Sequence, residues 1–313
     1  MSEAQCRIPH CTFTDNRTLF NSSDVVIFSA QNLNVSDLPG HRLPHQRFVF
    51  YQLESPLNTA VSPFRDVSSL RHDYFNWTMT YRMDSDIIHR DSYGMTLPIS
   101  PLRSKLPQIP ADGDRFGDYP APVDVGGKRK GIAWFVSNCQ TNSRREDYVR
   151  QLRRYVDVDV FGRCSNTSCT DVLQCQAMLR RDYKFYLAFE NSLCPDYVTE
   201  KLTRTLGLDL VPIVYGAVDY WHFAPPHSFI DVRDFQSVRQ LASYIRLLDD
   251  NHQLYARYFD WKRDFRVTTV YKKGWCRLCR MAHDDQLPPK SYADVYDWWI
   301  LQRPCVPPHL PFS

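Results

Sequence analysis

The stretch Tyr183–Lys201, YKFYLAFENSLCPDYVTEK, constrains this chain more than any other. YKFYLAF reads as a short apolar strand that stops at a polar turn, and DYVTEK then opens a helix. A strand end followed by a helix start is where open α/β sheets bind ligands. The helix start also offers backbone N–H groups and a positive dipole end to an anion. Tyr197, Glu200 and Lys201 cluster at that start, with Asn191 at the strand end. Such a group suits a phosphate, ribose hydroxyls and a base.

The pattern around it repeats. From Gly131, GIAWFVSN reads as a buried strand, and Asn142-Ser143 can cap a helix RREDYVRQLRRY. Val156–Phe161 alternates like a strand, and Cys175–Arg181 looks helical. After YKFYLAF come a helix Thr199–Gly207, strands Val211–Tyr215 and Ser228–Val232, and helices Val238–Asp249 and Gln253–Lys262. Repeated β-α units argue for a parallel, doubly wound sheet. Residues 1–97 form an earlier block with strands at Val25–Ser29, Phe48–Leu53 and Asp86–His89. The stretch 98–130, rich in Pro, Gly and Asp, reads as a linker. Residues 131–283 form the second domain and 284–313 a tail.

A chain of 313 residues suits two such domains, and 43% apolar residues exclude disorder. The net charge of +3 is spread thinly, the longest basic block being Lys128-Arg129-Lys130, so nucleic-acid binding is a poor reading. Ten cysteines and five glycosylation sequons, at Asn16, Asn21, Asn34, Asn76 and Asn166, point to the secretory lumen. No apolar run reaches membrane-spanning length, and the start MSEAQCRIPHC has no signal-peptide core. No G-x-G-x-x-G follows the first strand of the second block. A bound pyrophosphate would therefore have to be held by cations. Cys276-x-x-Cys279 could be half a zinc site, a redox pair or a disulfide.

The pattern FENS…DYVTEK resembles the signature of the α1,3-fucosyltransferases, glycosyltransferase family 10. NWTMTYRMDSD at Asn76–Asp86 and the strand–Glu–Ser–Pro context of Glu54 are further matches. The resemblance implies an α/β, GT-B-like architecture: two Rossmann-like domains with a cleft between them and the donor site in the C-terminal one. It implies a GDP-fucose donor and inverting transfer to the 3-hydroxyl of a GlcNAc in a glycoprotein glycan. The cysteine-containing segments favour the N-glycan core as acceptor, with an antennal, Lewis-type GlcNAc as the alternative. A non-catalytic glycan-binding relative and a transferase using another sugar nucleotide are the rival readings.

Such a transfer needs a base for the acceptor hydroxyl, cations for the departing diphosphate and contacts that orient the donor. Glu54, at a strand end before a Ser-Pro turn, is the candidate base; an exposed turn glutamate without a role is the bland alternative. Arg145 and Lys201 are the candidate diphosphate cations, Arg giving a bidentate clamp and Lys a point charge. Spacing from Ser137-Asn138 matches Arg145, rather than Arg144, to the family's phosphate arginine. By resemblance Glu200 contacts donor hydroxyls, Tyr197 the diphosphate or ribose, and Asn191 supports the same site. Ser137 and Asn138 would line the nucleotide.

No cofactor is expected to be required, and a divalent metal would at most stimulate. Asp84-Ser-Asp86 invites a metal reading, which the family's use of side-chain cations opposes. The family also implies a Cys276–Cys279 disulfide; Cys6–Cys11 is a separate candidate bridge, and the sequence does not pair the other six cysteines. Full-length relatives are anchored in the Golgi membrane, which sets a Golgi location as the expectation.

Overall fold

The computed structural model describes residues 11–59, 62–99, 125–268 and 273–308. They fall into two compact units. The first holds the described residues of Met1–Ser92, Cys194–Tyr197 and Tyr271–Cys305; the second holds those of Tyr93–Leu193, Val198–Val270 and Val306–Ser313. The units are thus not consecutive stretches. Helix Lys273–Ala282, which the sequence reading joins to the second domain, belongs to the first unit.

The first unit is built on a parallel sheet of strands β1 (Val25–Ser29), β2 (Arg47–Gln52), β3 (Trp77–Thr80) and β4 (Ile87–Ile88), in that order. Short helices α1 (Ser62–Asp66) and α2 (Ser68–Arg71) join β2 to β3. β2 is apolar on both sides, as an inner parallel strand must be. Phe48 and Phe50 pack among Phe28, Phe64, Tyr74 and Phe75. On the other face Val49 joins Trp77, Met79, Ile87 and, from the helix Lys273–Ala282, Leu278.

The second unit pairs β5 (Met95–Pro98) antiparallel with a late strand and then alternates: β6 (Lys130–Phe135), α3 (Arg145–Leu152), β7 (Val158–Phe161), α4 (Val172–Asp182), β8 (Tyr183–Phe189), α5 (Glu200–Gly207), β9 (Val211–Tyr215), β10 (Ile230–Asp231), α6 (Val238–Asp250), α7 (His252–Arg257) and β11 (Phe265–Thr268). The parallel sheet runs β10-β9-β8-β6-β7. All seven residues of β8 are buried, which explains its unbroken apolar character. Phe185, Leu187 and Phe189 face a core with Ile132, Trp134 and Leu241; Tyr186 and Ala188 face Leu202 and Leu206 of α5. Burying each of those leucines contributes about 2 kcal/mol.

β6 is followed in the sheet by β7 on one side and β8 on the other. The strand order therefore reverses between β6 and β8, and the chain leaving their C-terminal ends opens the crevice that such sheets use for ligands.

Some local expectations change. α3 is not capped by Asn142-Ser143: its first residue is Arg145, and Arg144 before it adopts φ +51° with no side-chain cap. The Ser143 hydroxyl instead donates to the Glu190 carbonyl at 2.7 Å. The β5–β11 pair was not foreseen.

The described residues contain four disulfides: Cys11–Cys279, Cys139–Cys164, Cys169–Cys175 and Cys194–Cys305. Cys11–Cys279 corrects both expected bridges. Cys279 does not pair with Cys276, and Cys11 does not pair with Cys6, itself outside the described residues. Cys276, on the same helix as Cys279, is separately disulfide-bonded.

Candidate active site

In the second unit the site is assembled by two strand-to-helix turns at the reversal point. After β6, Ser137 and Asn138 are exposed, and Cys139–Cys164 ties this turn to the chain following β7. Gly162 sits in the same corner with φ +103°, where a Cβ would lie 2.5 Å from the Val136 carbonyl oxygen. The turn leads to Arg145 on the first turn of α3. Its guanidinium is buried, donating from Nη1 to the Phe189 carbonyl at 2.7 Å and from Nη2 to the Asn138 carbonyl at 3.4 Å. It thereby joins the end of β8 to the turn after β6. Arg144, by contrast, lies exposed and pairs with Asp147.

After β8, Glu190 and Asn191 lead toward α5. Glu190 is 1% exposed, and its carboxylate accepts from the Thr199 N–H at 2.8 Å, the Thr199 hydroxyl at 3.0 Å and Lys201 Nζ at 3.0 Å. It thus supplies the acceptor for the N–H of Thr199, the N-cap residue of α5, whose own side chain makes no capping bond. Lys201 also donates to the Thr199 hydroxyl at 2.7 Å and lies 3.7 Å from Glu200. Burial alone would lower the pKa of its ammonium, but the charges of Glu190 and Glu200 outweigh this and hold it above the usual lysine value. Arg145 is close enough for its charge to act in the opposite sense on Lys201. Two cations therefore converge at the two helix starts. Burial opposes ionisation of Glu200, yet Lys201 and Arg204 keep its pKa below the usual carboxylate range.

Glu190 was not among the residues expected from sequence. The available signal was a carboxylate closing a strand whose other residues are all buried. Beside it, the Tyr220 hydroxyl is buried, and burial together with Glu190 pushes its pKa well up.

In the first unit, Glu54 follows the end of β2. The Gln52 side chain shapes the turn, its Oε1 accepting from the N–H groups of Leu53 and Glu54 at 2.9 and 3.0 Å. Glu54 Oε2 accepts from Asn58 Nδ2 at 3.2 Å and from the Tyr197 hydroxyl at 3.0 Å. Tyr197 thus lies with Glu54 in the first unit, while Arg145, Asn191, Glu200, Lys201, Ser137 and Asn138 lie in the second.

The D-x-D carboxylates are each engaged by side chains. Asp84 pairs with Arg82 at 2.5 Å and Arg303 at 3.5 Å; Asp86 pairs with Lys290 and accepts from the Tyr292 hydroxyl at 2.8 Å. Cys11, Cys279 and His283 come within metal-binding distance of one another, but the two sulfurs are joined in a disulfide and offer no thiolate.

A two-unit α/β protein with parallel sheets, and with two cations at a strand-order reversal, has the make-up of a GT-B-like glycosyltransferase. The model of the glycosyltransferase family 10 (fucosyltransferase) C-terminal domain matches residues 125–298, and that of the fucosyltransferase N-terminal domain matches residues 1–94. The chain belongs to this family. It is 36% identical over 310 residues to the Drosophila melanogaster alpha-(1,3)-fucosyltransferase C, covering 95% of this chain and 71% of that protein. It is 34% identical to the Drosophila glycoprotein 3-alpha-L-fucosyltransferase A, covering 95% of this chain and 56% of that one. The Caenorhabditis elegans alpha-(1,3)-fucosyltransferase fut-1 is also 34% identical, with coverage of 92% and 63%. The chain thus spans between about half and 71% of the length of these relatives. A crystal structure of an α1,3-fucosyltransferase with GDP-fucose matches with a TM-score of 0.52 at 17% identity, over 85% of this chain and 79% of that one, which supports the fold.

Proposed function

We propose that this protein transfers L-fucose from GDP-β-L-fucose to the 3-hydroxyl of a GlcNAc in a glycoprotein glycan, with inversion. The innermost GlcNAc of an N-glycan is the favoured acceptor. The observation that carries the reading is the convergence of Arg145 and Lys201 at the two helix starts beside the strand-order reversal. A departing diphosphate gains negative charge, and fixed cations at helix N-termini stabilise it without reorganising.

The Glu54 carboxylate takes the proton of the acceptor hydroxyl as that oxygen forms a bond to the anomeric carbon. The bond from that carbon to the diphosphate breaks, and its electron pair leaves with GDP. The β linkage of the donor becomes an α linkage. Arg145 and Lys201 receive the charge, Glu200 and Asn191 contact the donor, and Ser137 and Asn138 line the nucleotide. The chemistry needs no cofactor, and side-chain cations take the place of a metal at the diphosphate. Among the described residues no helix is long and apolar enough to cross a membrane. The disulfides and sequons suit the Golgi lumen as the place of action.

The test is acceptor-dependent GDP release from GDP-fucose with N-glycan core and LacNAc acceptors. Release with the core acceptor is expected. Release only with LacNAc would move the assignment to antennal glycans, and none from folded protein that binds GDP would overturn the reading.

A further inference from the structure

The segment Cys194–Tyr197 belongs to the first unit although the residues on both sides of it belong to the second. Cys194 is bonded to Cys305. Two residues on, Asp196 pairs with Arg303 at 2.5 Å and accepts from the Met83 N–H at 3.1 Å. Asp196 does so at φ +62°, a left-handed conformation that a non-glycine residue keeps only when its surroundings over-determine it. A covalent bond, an ion pair and a backbone hydrogen bond thus fasten four residues.

What they present is the Tyr197 hydroxyl. Its ring is buried and packs on Tyr81 at 5.0 Å, which packs on Trp299 at 5.7 Å. Trp299 Nε1 donates to the Thr59 hydroxyl at 3.2 Å, and Thr59 donates to the Ser55 carbonyl at 2.9 Å. The wall behind Tyr197 is therefore anchored in the same turn that carries Glu54. At the end of this chain of contacts the hydroxyl meets Glu54 Oε2 at 3.0 Å.

We propose that Tyr197 is a positioning residue for the Glu54 carboxylate, held in place by the Cys194–Cys305 disulfide and the Asp196–Arg303 ion pair. The proposal rests on the reading of Glu54 as the base. It departs from the expectation that Tyr197 contacts the diphosphate or ribose. A hydroxyl donating to a carboxylate restricts its rotamer. The tyrosine therefore keeps the base aimed in one direction.

The experiment compares wild type, Tyr197→Phe and Asp196→Asn. In Tyr197→Phe, kcat is expected to fall about tenfold, the worth of a hydrogen bond to a charged group. The KM for the acceptor and the Kd of GDP measured by calorimetry should stay unchanged. Asp196→Asn should lower kcat in the same way, by less. An unchanged kcat, or a weakened GDP Kd, would overturn the proposal, the latter making Tyr197 a donor contact. If the wild type transfers no fucose, the functional reading fails separately. The positioning bond is then read from the carboxyl-13C shift of labelled glutamate at one neutral pH, with Glu54 assigned through Glu54→Gln. A resonance displaced in Tyr197→Phe supports the bond, and an unchanged one overturns it.

Discussion

Lys201 Nζ lies 3.0 Å from Glu190 Oε2, eleven residues earlier in the chain, and the turn between β8 and α5 brings the two together. The carboxylate is buried and the ammonium mostly so. Glu190→Ala would leave a largely buried cation without its nearest counter-charge and the Thr199 N–H without its acceptor. We expect a loss of about 3–5 kcal/mol in stability, the usual cost of breaking a buried pair. Urea denaturation checks this; a loss below about 1 kcal/mol would mean that the pair is effectively solvated.

The same pair sets a pH dependence. Because the folded-state pKa of Lys201 is raised, its contribution is fully present below the ordinary lysine value of 10.5 and is lost as pH rises beyond it. The stability difference between wild type and Lys201→Met should be flat between about pH 6 and 9 and shrink above the unfolded lysine value. A difference that shrinks below neutrality would contradict this assignment of charge.

Glu54→Gln keeps the shape of the turn and removes the proposed proton acceptor. Transfer should fall by about 10²–10⁴-fold, with GDP affinity preserved. A variant retaining wild-type kcat would show that another group takes the proton.

Arg145→Ala acts differently. It removes a cation and also the bonds to the Phe189 and Asn138 carbonyls. GDP affinity should weaken along with kcat, and Arg145→Lys should recover only part of either, because an ammonium cannot span both carbonyls in the guanidinium's planar geometry. Full recovery by lysine would reduce the role of Arg145 to charge alone.

Gly162→Ala tests the corner beside Ser137. With φ +103° and the Val136 carbonyl in the path of a Cβ, the substitution should cost about 1–3 kcal/mol and lower the Tm. An unchanged Tm would mean that the corner relaxes freely.

What could be read from the sequence was what is local. The strand Tyr183–Phe189 and the helix from Glu200 follow from one apolar run and one helix start, and the structure places both there. Glu190 escaped because its importance arises only when the turn folds back and Lys201 meets it. β5 and β11 escaped because Met95–Pro98 and Phe265–Thr268 find each other across about 170 residues, with no local pattern to announce the pairing. The Cys11–Cys279 bridge is of the same kind: spacing within a C-x-x-C says nothing about a partner 268 residues away.

The division of the chain also dictates an order of assembly. A ribosome delivers residues 93–193 and 198–268 before the helix Lys273–Ala282 and Cys305, so the second unit has its whole sheet while the first still waits for Leu278 and Trp299. The part of the protein made first is therefore the part finished last. Until Cys305 emerges and is oxidised, Tyr197 has no disulfide to fasten its segment, and a chain stopped before that point would carry a complete parallel sheet with an unsecured tyrosine.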